Sequence, residues 1–146
     1  MSKAIIANID LIQLQSDVTT LQNEVNATQS RTINVTFDGG GSALTAGLST
    51  DLEIPYVATI QSWNILSGLT GSIVIDVLKS DSYSTYPTFS SIAGSEKPTL
   101  SSQQKNQDTN LSTWTTGLTA SNILRFNIDS ATTVQKVFLT LKINLA

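Results

Sequence analysis

The chain has 146 residues, 40% of them hydrophobic and only 13% charged, with a formal net charge of -3; that length suits one globular domain plus an accessory segment. With no cysteine and no histidine, it excludes disulfides, thiol nucleophiles, Cys or His zinc sites and any triad relying on imidazole. Its eight Lys and Arg are scattered from Lys3 to Lys142, so nucleic-acid binding lacks its electrostatic footprint. Serine and threonine fill 39 of the 146 positions and cover a surface that is polar without being charged. Threonine is β-branched and fits a pleated, half-buried sheet.

The N-terminal stretch from Met1 to Ile12 carries one lysine, and its apolar run is broken by Asn8 and Asp10. A secretory leader needs a longer apolar segment, and a membrane span needs about 20 apolar residues. The expectation is no membrane partner and no secretory route, so the sequons at Asn26, Asn34 and Asn110 read as chance matches in a Ser/Thr-rich chain.

From Ala4 to Thr32 the apolar residues follow a helical seam free of glycine and proline. Ala4, Leu11, Val18, Val25 and Thr32 take heptad position a, and Ala7, Leu14, Leu21 and Thr28 take d. Leu11, Leu14, Val18, Leu21 and Val25 are the predicted oligomerisation residues. Ile5, Ile9 and Ile12 form a second stripe, suited to docking on another protein. The g positions Asp10, Asp17 and Glu24 are acidic, and the following e positions are Gln15, Gln22 and Gln29. An antiparallel pairing would set carboxylate against carboxylate. A parallel one sets each carboxylate beside a carboxamide, which allows hydrogen bonds, so the seam predicts a parallel homo-oligomer. Val at a with Leu at d leans toward two strands. The alternative is one amphipathic helix packed on the chain's own sheet.

After Arg31 the period switches to two. Ile33, Val35 and Phe37 alternate with polar residues before the turn Asp38-Gly39-Gly40-Gly41. Further strands are predicted at Leu52 and Ile54, Val57 to Leu66, Ile73 to Val77, Leu124 to Ile128 and Val137 to Leu145. Turns are predicted between them at Ser67-Gly68, Thr70-Gly71, Gly94-Ser95 and Asp129-Ser130. The region Ser80 to Gly117, with its polar run Ser101 to Thr109, reads as a long excursion with at most a short helix. The expected fold is mainly β: an antiparallel, jelly-roll-like β-sandwich head over 33–146, preceded by an N-terminal coiled-coil stalk over 1–32.

Several ordered blocks carry a resemblance: Gly71 to Lys79, Tyr83 to Pro87, Lys97 to Ser101, Gln107-Asp108, Trp114-Thr115 and Leu124 to Val134. Over roughly residues 70–146 the chain resembles a β-sandwich module of tailed-bacteriophage virion proteins, as in the C-terminal heads of fibre and decoration proteins. The resemblance implies a location on the virion surface, trimeric assembly, and a binding or cementing role without catalysis. It favours three strands over the two suggested by the seam.

Trp63, Trp114, Tyr56, Tyr83 and Tyr86 are candidates for stacking on sugars, against the simpler reading of core or interface packing. Tyr83 and Tyr86 stand out because they lie in a polar, Pro-containing loop, and they are the predicted ligand-binding residues. Asp38, Asp81 and Asp108 read as solvated turn carboxylates rather than cation ligands. Asp76 shares a strand face with Val74 and Leu78 and is a candidate partner for Arg125 or a backbone amide. No pair among the eleven acids is singled out for hydrolysis. The expectation is therefore a non-enzymatic virion structural protein without cofactor or metal, a homotrimer contacting capsid or tail proteins through its N-terminal segment. The alternative is a tail-fibre head recognising host-surface carbohydrate.

Overall fold

The computed structural model describes residues 2–146, with side chains described at residue 8 and from residue 10 onward. The side chains of Ala4, Ala7, Ile5 and Ile9 lie outside the described residues. The chain divides into two compact units, Met1–Ser30 and Arg31–Ala146.

The first unit is one helix, α1 (Ser2–Gln29). At about 1.5 Å per residue its 28 residues run roughly 42 Å. Gln13 Nε2 donates to Asp17 Oδ1 at 2.8 Å, one turn along, and Thr19 and Thr20 donate back to the carbonyls of Gln15 and Ser16. Thr32, predicted to close the heptad seam, instead lies in the first strand. Residues 33, 35 and 37 carry large apolar side chains that a sheet can bury together, and their period of two overrides the last heptad.

The second unit contains β1 (Ser30–Asp38), β2 (Ser49–Glu53), β3 (Ala58–Ser80), β4 (Ser90–Ser91), β5 (Thr99–Asp108), β6 (Gly117–Leu118), β7 (Ile123–Thr132) and β8 (Lys136–Leu145). Strand order runs β1-β8-β3-β7-β2, with β4, β5 and β6 also paired to β3. β3 is the spine. Residues 58–67 pair antiparallel with β8, and residues 72–80 pair antiparallel with β7. Its other edge carries β6, β5 and β4 in turn, also antiparallel. One strand thus serves both halves of a curled sheet, a mainly-β antiparallel sandwich preceded by one helix, as the period change predicts.

A single core joins the halves. It takes Ile33, Val35 and Phe37 from β1, Ile65, Ile73, Ile75 and Val77 from β3, Leu124, Phe126 and Ile128 from β7, and Val137, Leu139, Leu141 and Ile143 from β8. Alternate side chains of a strand face opposite sides, so each strand contributes every second residue. The turn after β1 forms as predicted, with Asp38 Oδ1 accepting from the Gly40 amide at 2.9 Å.

Three predicted breaks are absent. Ser67-Gly68 and Thr70-Gly71 do not end a strand, because β3 passes through them. Gly71 answers a close approach instead: a Cβ there would stand 2.6 Å from the Thr132 carbonyl oxygen and 2.8 Å from Val134 Cγ1. Asp129-Ser130 lies inside β7, where the register slips between Val74↔Ser130 and Ile75↔Ile128, so the turn-like dipeptide marks a bulge. A further correction is Ser101 to Thr109, expected as an excursion but nearly all within β5. Only Leu100 is fully buried there, so the apolar alternation that reveals strands is missing, and pairing with β3 holds the strand.

Candidate functional site

The predicted oligomerisation residues are all uncovered in the single chain. Leu11, Leu14, Val18, Leu21 and Val25 are 47–60% exposed, and Ile12 beside them is 59% exposed. Regularly spaced apolar side chains at such exposure carry an unfavourable hydration that association would relieve.

The second candidate site forms around the two predicted tyrosines. Pairing of β2 with β7 sets Asp51 opposite Arg125 and Glu53 opposite Ile123, placing all four on one face of the sheet. The loop after β3 begins with a one-turn 3-10 helix, Tyr83–Thr85. Thr85 ties it down: its Oγ1 accepts from the Ser82 amide at 3.0 Å and lies 2.9 Å from Ser80 Oγ. Tyr83 is 79% exposed and Tyr86 is 45% exposed. Tyr86 Oη donates to Asp51 Oδ2 at 3.2 Å, and its ring meets Phe89 edge-on at 5.7 Å between centroids. Arg125 donates from Nε to Asp51 Oδ1 and from Nη2 to Oδ2, both at 2.7 Å, while its guanidinium sits 4.1 Å from the centre of the Phe89 ring. These hydrogen bonds hold the Asp51 carboxyl below the usual carboxylate range against partial burial, and they raise Arg125 in turn.

Asp51, Leu52, Glu53, Tyr83, Tyr86 and Ile123 line a cleft of about 240 Å³. Both tyrosines are legible in the sequence as candidates, whereas Asp51, Glu53 and Phe89 are not, and Arg125, expected beside Asp76, is held by Asp51 instead. No local signal could have joined them, since Asp51 and Arg125 are 74 residues apart in sequence. A second cleft, about 430 Å³, lies beside Asn64, Leu66 and residues 105–107.

The other candidates have structural surroundings. Trp63 and Trp114 are in the core, and Tyr56 packs half-buried against it. Trp114 Nε1 donates to the Glu96 carbonyl at 3.0 Å, whereas Trp63 Nε1 has no hydrogen-bond partner among the described residues. Asp76 does not meet Arg125. It accepts from Ser91 Oγ at 2.6 Å and pairs at 2.8 Å with Lys97, which also holds Asp129 at 2.7 Å. Both carboxylates, Asp129 first, raise Lys97. Asp38 pairs with Lys136 and Asp81 with Lys79, while Asp108 accepts from the Asn110 amide. Among the described residues no three acidic side chains gather as a metal site, and no helix is long and apolar enough to cross a membrane.

No family model matches the chain, and no curated protein matches it. Solved structures do. The Drosophila NLP core, described in terms of pentamer formation and histone binding, is 12% identical over 80% of this chain and 97% of its own, with a TM-score of 0.40. CpGH89CBM32-6 from Clostridium perfringens is 10% identical over 81% of this chain and 94% of its own, with a TM-score of 0.43. The capsid asymmetric unit of cyanophage Pam1 is 14% identical over 80% of this chain and 84% of that one, with a TM-score of 0.35. The likeness is one of remote β-sandwich shape and assigns no residue a role.

Proposed function

We propose that this chain is a structural protein of a bacteriophage virion surface, assembling as a parallel homotrimer through α1 and acting by binding or cementing, without catalysis. The observation that carries the reading is the exposed seam Leu11, Leu14, Val18, Leu21 and Val25. Its acidic g and carboxamide e flanks favour parallel neighbours. The chain passes from Gln29 of α1 into Ser30 of β1 with no linker between them. The ordered blocks of the β unit supply the resemblance to fibre and decoration heads. Capsid and tail proteins are the proposed partners of the N-terminal segment.

Two measurements test this. Native mass spectrometry should give three times the 15.6 kDa chain mass. Antibodies raised against the β unit should label intact particles in electron micrographs. A monomer at micromolar concentration, or particles that stay unlabelled, overturns the proposal.

A second reading, host-surface carbohydrate recognition, rests on the exposed Tyr83 ring beside the 240 Å³ cleft. Aromatic rings stack on the apolar faces of pyranoses. Glycan arrays probed with the folded oligomer test it, and a blank array rejects it.

A further inference from the structure

Three charged side chains occupy the sheet face at the Tyr83–Tyr86 cleft, and two of them neutralise each other. Both Asp51 oxygens accept from Arg125, and Oδ2 also takes the Tyr86 hydroxyl. Arg125 in turn lies over the Phe89 ring. Neither is free to draw an outside ion. Glu53 is different: it is exposed on β2, across from Ile123, with no hydrogen bond or ion pair among the described residues. β2 ends the strand order, so Glu53 stands at the sheet's edge. The cleft lining therefore combines one surplus carboxylate, Glu53, with the phenol rings of Tyr83 and Tyr86 and the apolar side chain of Ile123 across from it.

From this arrangement we infer that the cleft selects the ammonium group of an amino sugar, with Glu53 taking the charge and Tyr83 and Tyr86 taking the C–H face of the ring. The inference rests on the carbohydrate reading of this cleft and names the class of sugar. The negative face of a phenol ring attracts a cation, and an unpartnered carboxylate adds a directional acceptor. An N-acetylated sugar offers the same C–H face but no positive charge. A uronic acid brings a second carboxylate and is repelled. At about 240 Å³ the cleft falls below the roughly 300–1,000 Å³ of drug-sized pockets, so it holds one ring while the rest of the glycan lies outside.

The test is an NMR titration of the full chain at pH 6 with four probes: a glucosamine tetramer, an N-acetylglucosamine tetramer, a galacturonate tetramer and a lysine-containing peptide. The glucosamine tetramer should bind about fivefold more tightly than its acetylated counterpart, the scale of one exposed ion pair. Glu53→Gln should weaken the glucosamine tetramer about fivefold and so abolish that preference, whereas Tyr83→Ala should weaken both forms. Glu53→Ala serves the same purpose if the glutamine variant fails to fold. Equal binding of the two glucosamine forms by the parent chain overturns the inference and leaves the carbohydrate reading standing. No saccharide binding at all overturns both. A lysine peptide that binds as tightly as the glucosamine tetramer, with the same dependence on Glu53, overturns the sugar assignment in favour of a protein partner.

Discussion

Leu21 sits at a d position of the α1 seam and is 59% exposed in the single chain. Complete burial of a leucine side chain is worth about 1.5–3 kcal/mol, so covering the part still open gains roughly 1–2 kcal/mol per chain. A parallel trimer places three copies of Leu21 in one layer, and Leu21→Ala should cost the assembly roughly 3–5 kcal/mol. Trimer dissociation depends on the square of concentration. The midpoint concentration for assembly should therefore rise roughly ten- to sixtyfold. Sedimentation equilibrium across a dilution series reads this directly. Gln13→Ala is the control, since Gln13 lies off the seam and bonds only within its own helix. If Leu21→Ala leaves the midpoint unchanged, or if Gln13→Ala shifts it as much, the seam is not what joins the chains.

Three further outcomes are expected. The chain has no cysteine, so Leu14→Cys introduces a single thiol; in a parallel bundle, mild oxidation should link identical positions into a dimer band on non-reducing gels, because equivalent d residues approach within disulfide range. Gly94 combines φ +57° with a Cβ position 2.7 Å from the Thr113 carbonyl oxygen, so Gly94→Ala should destabilise the β unit by about 2–5 kcal/mol in urea unfolding. Gly40→Ala, at φ +61° in open space, should cost only about 1–2 kcal/mol. In the pH series, Asp51, Glu96 and Asp38 all titrate below their ordinary range, held by Arg125, by Ser112 and Thr113, and by Lys136 with the Gly40 amide. The folded chain then binds fewer protons than the unfolded one, so stability should fall as pH drops below about 4. Asp51→Asn should flatten that acid limb. Lys97 is raised, so its contribution persists below about pH 10.4 and is lost as pH rises through its folded value. Thermal melts from pH 2 to 11 check both limbs.

Legibility varied with how local the signal was. The last strand was readable from Val137, Leu139, Leu141 and Ile143 alone, since one buried face leaves an alternation that needs no partner to be seen. β5 was not, because its side chains are mostly polar and half-exposed; what makes it a strand is the backbone of β3 beside it. Thr70-Gly71 and Asp129-Ser130 carried turn chemistry that tertiary packing turned to other uses, a close contact and a bulge. At the cleft, exposed tyrosines in a polar loop could be picked out, but the Arg125 clamp on Asp51 and the unpartnered Glu53 depended on strand register.

By itself, the order of residues determined the change of period near residue 30, an uninterrupted helix with an apolar stripe, and a mainly-β remainder, because periodicities of 3.6 and 2 are properties of short segments. Tertiary structure alone decided that β3 runs unbroken through both halves of the sheet and that Asp76 meets Lys97 while Asp51 meets Arg125. Those outcomes follow from pairings between distant segments, whose energies depend on register and burial that no local window contains.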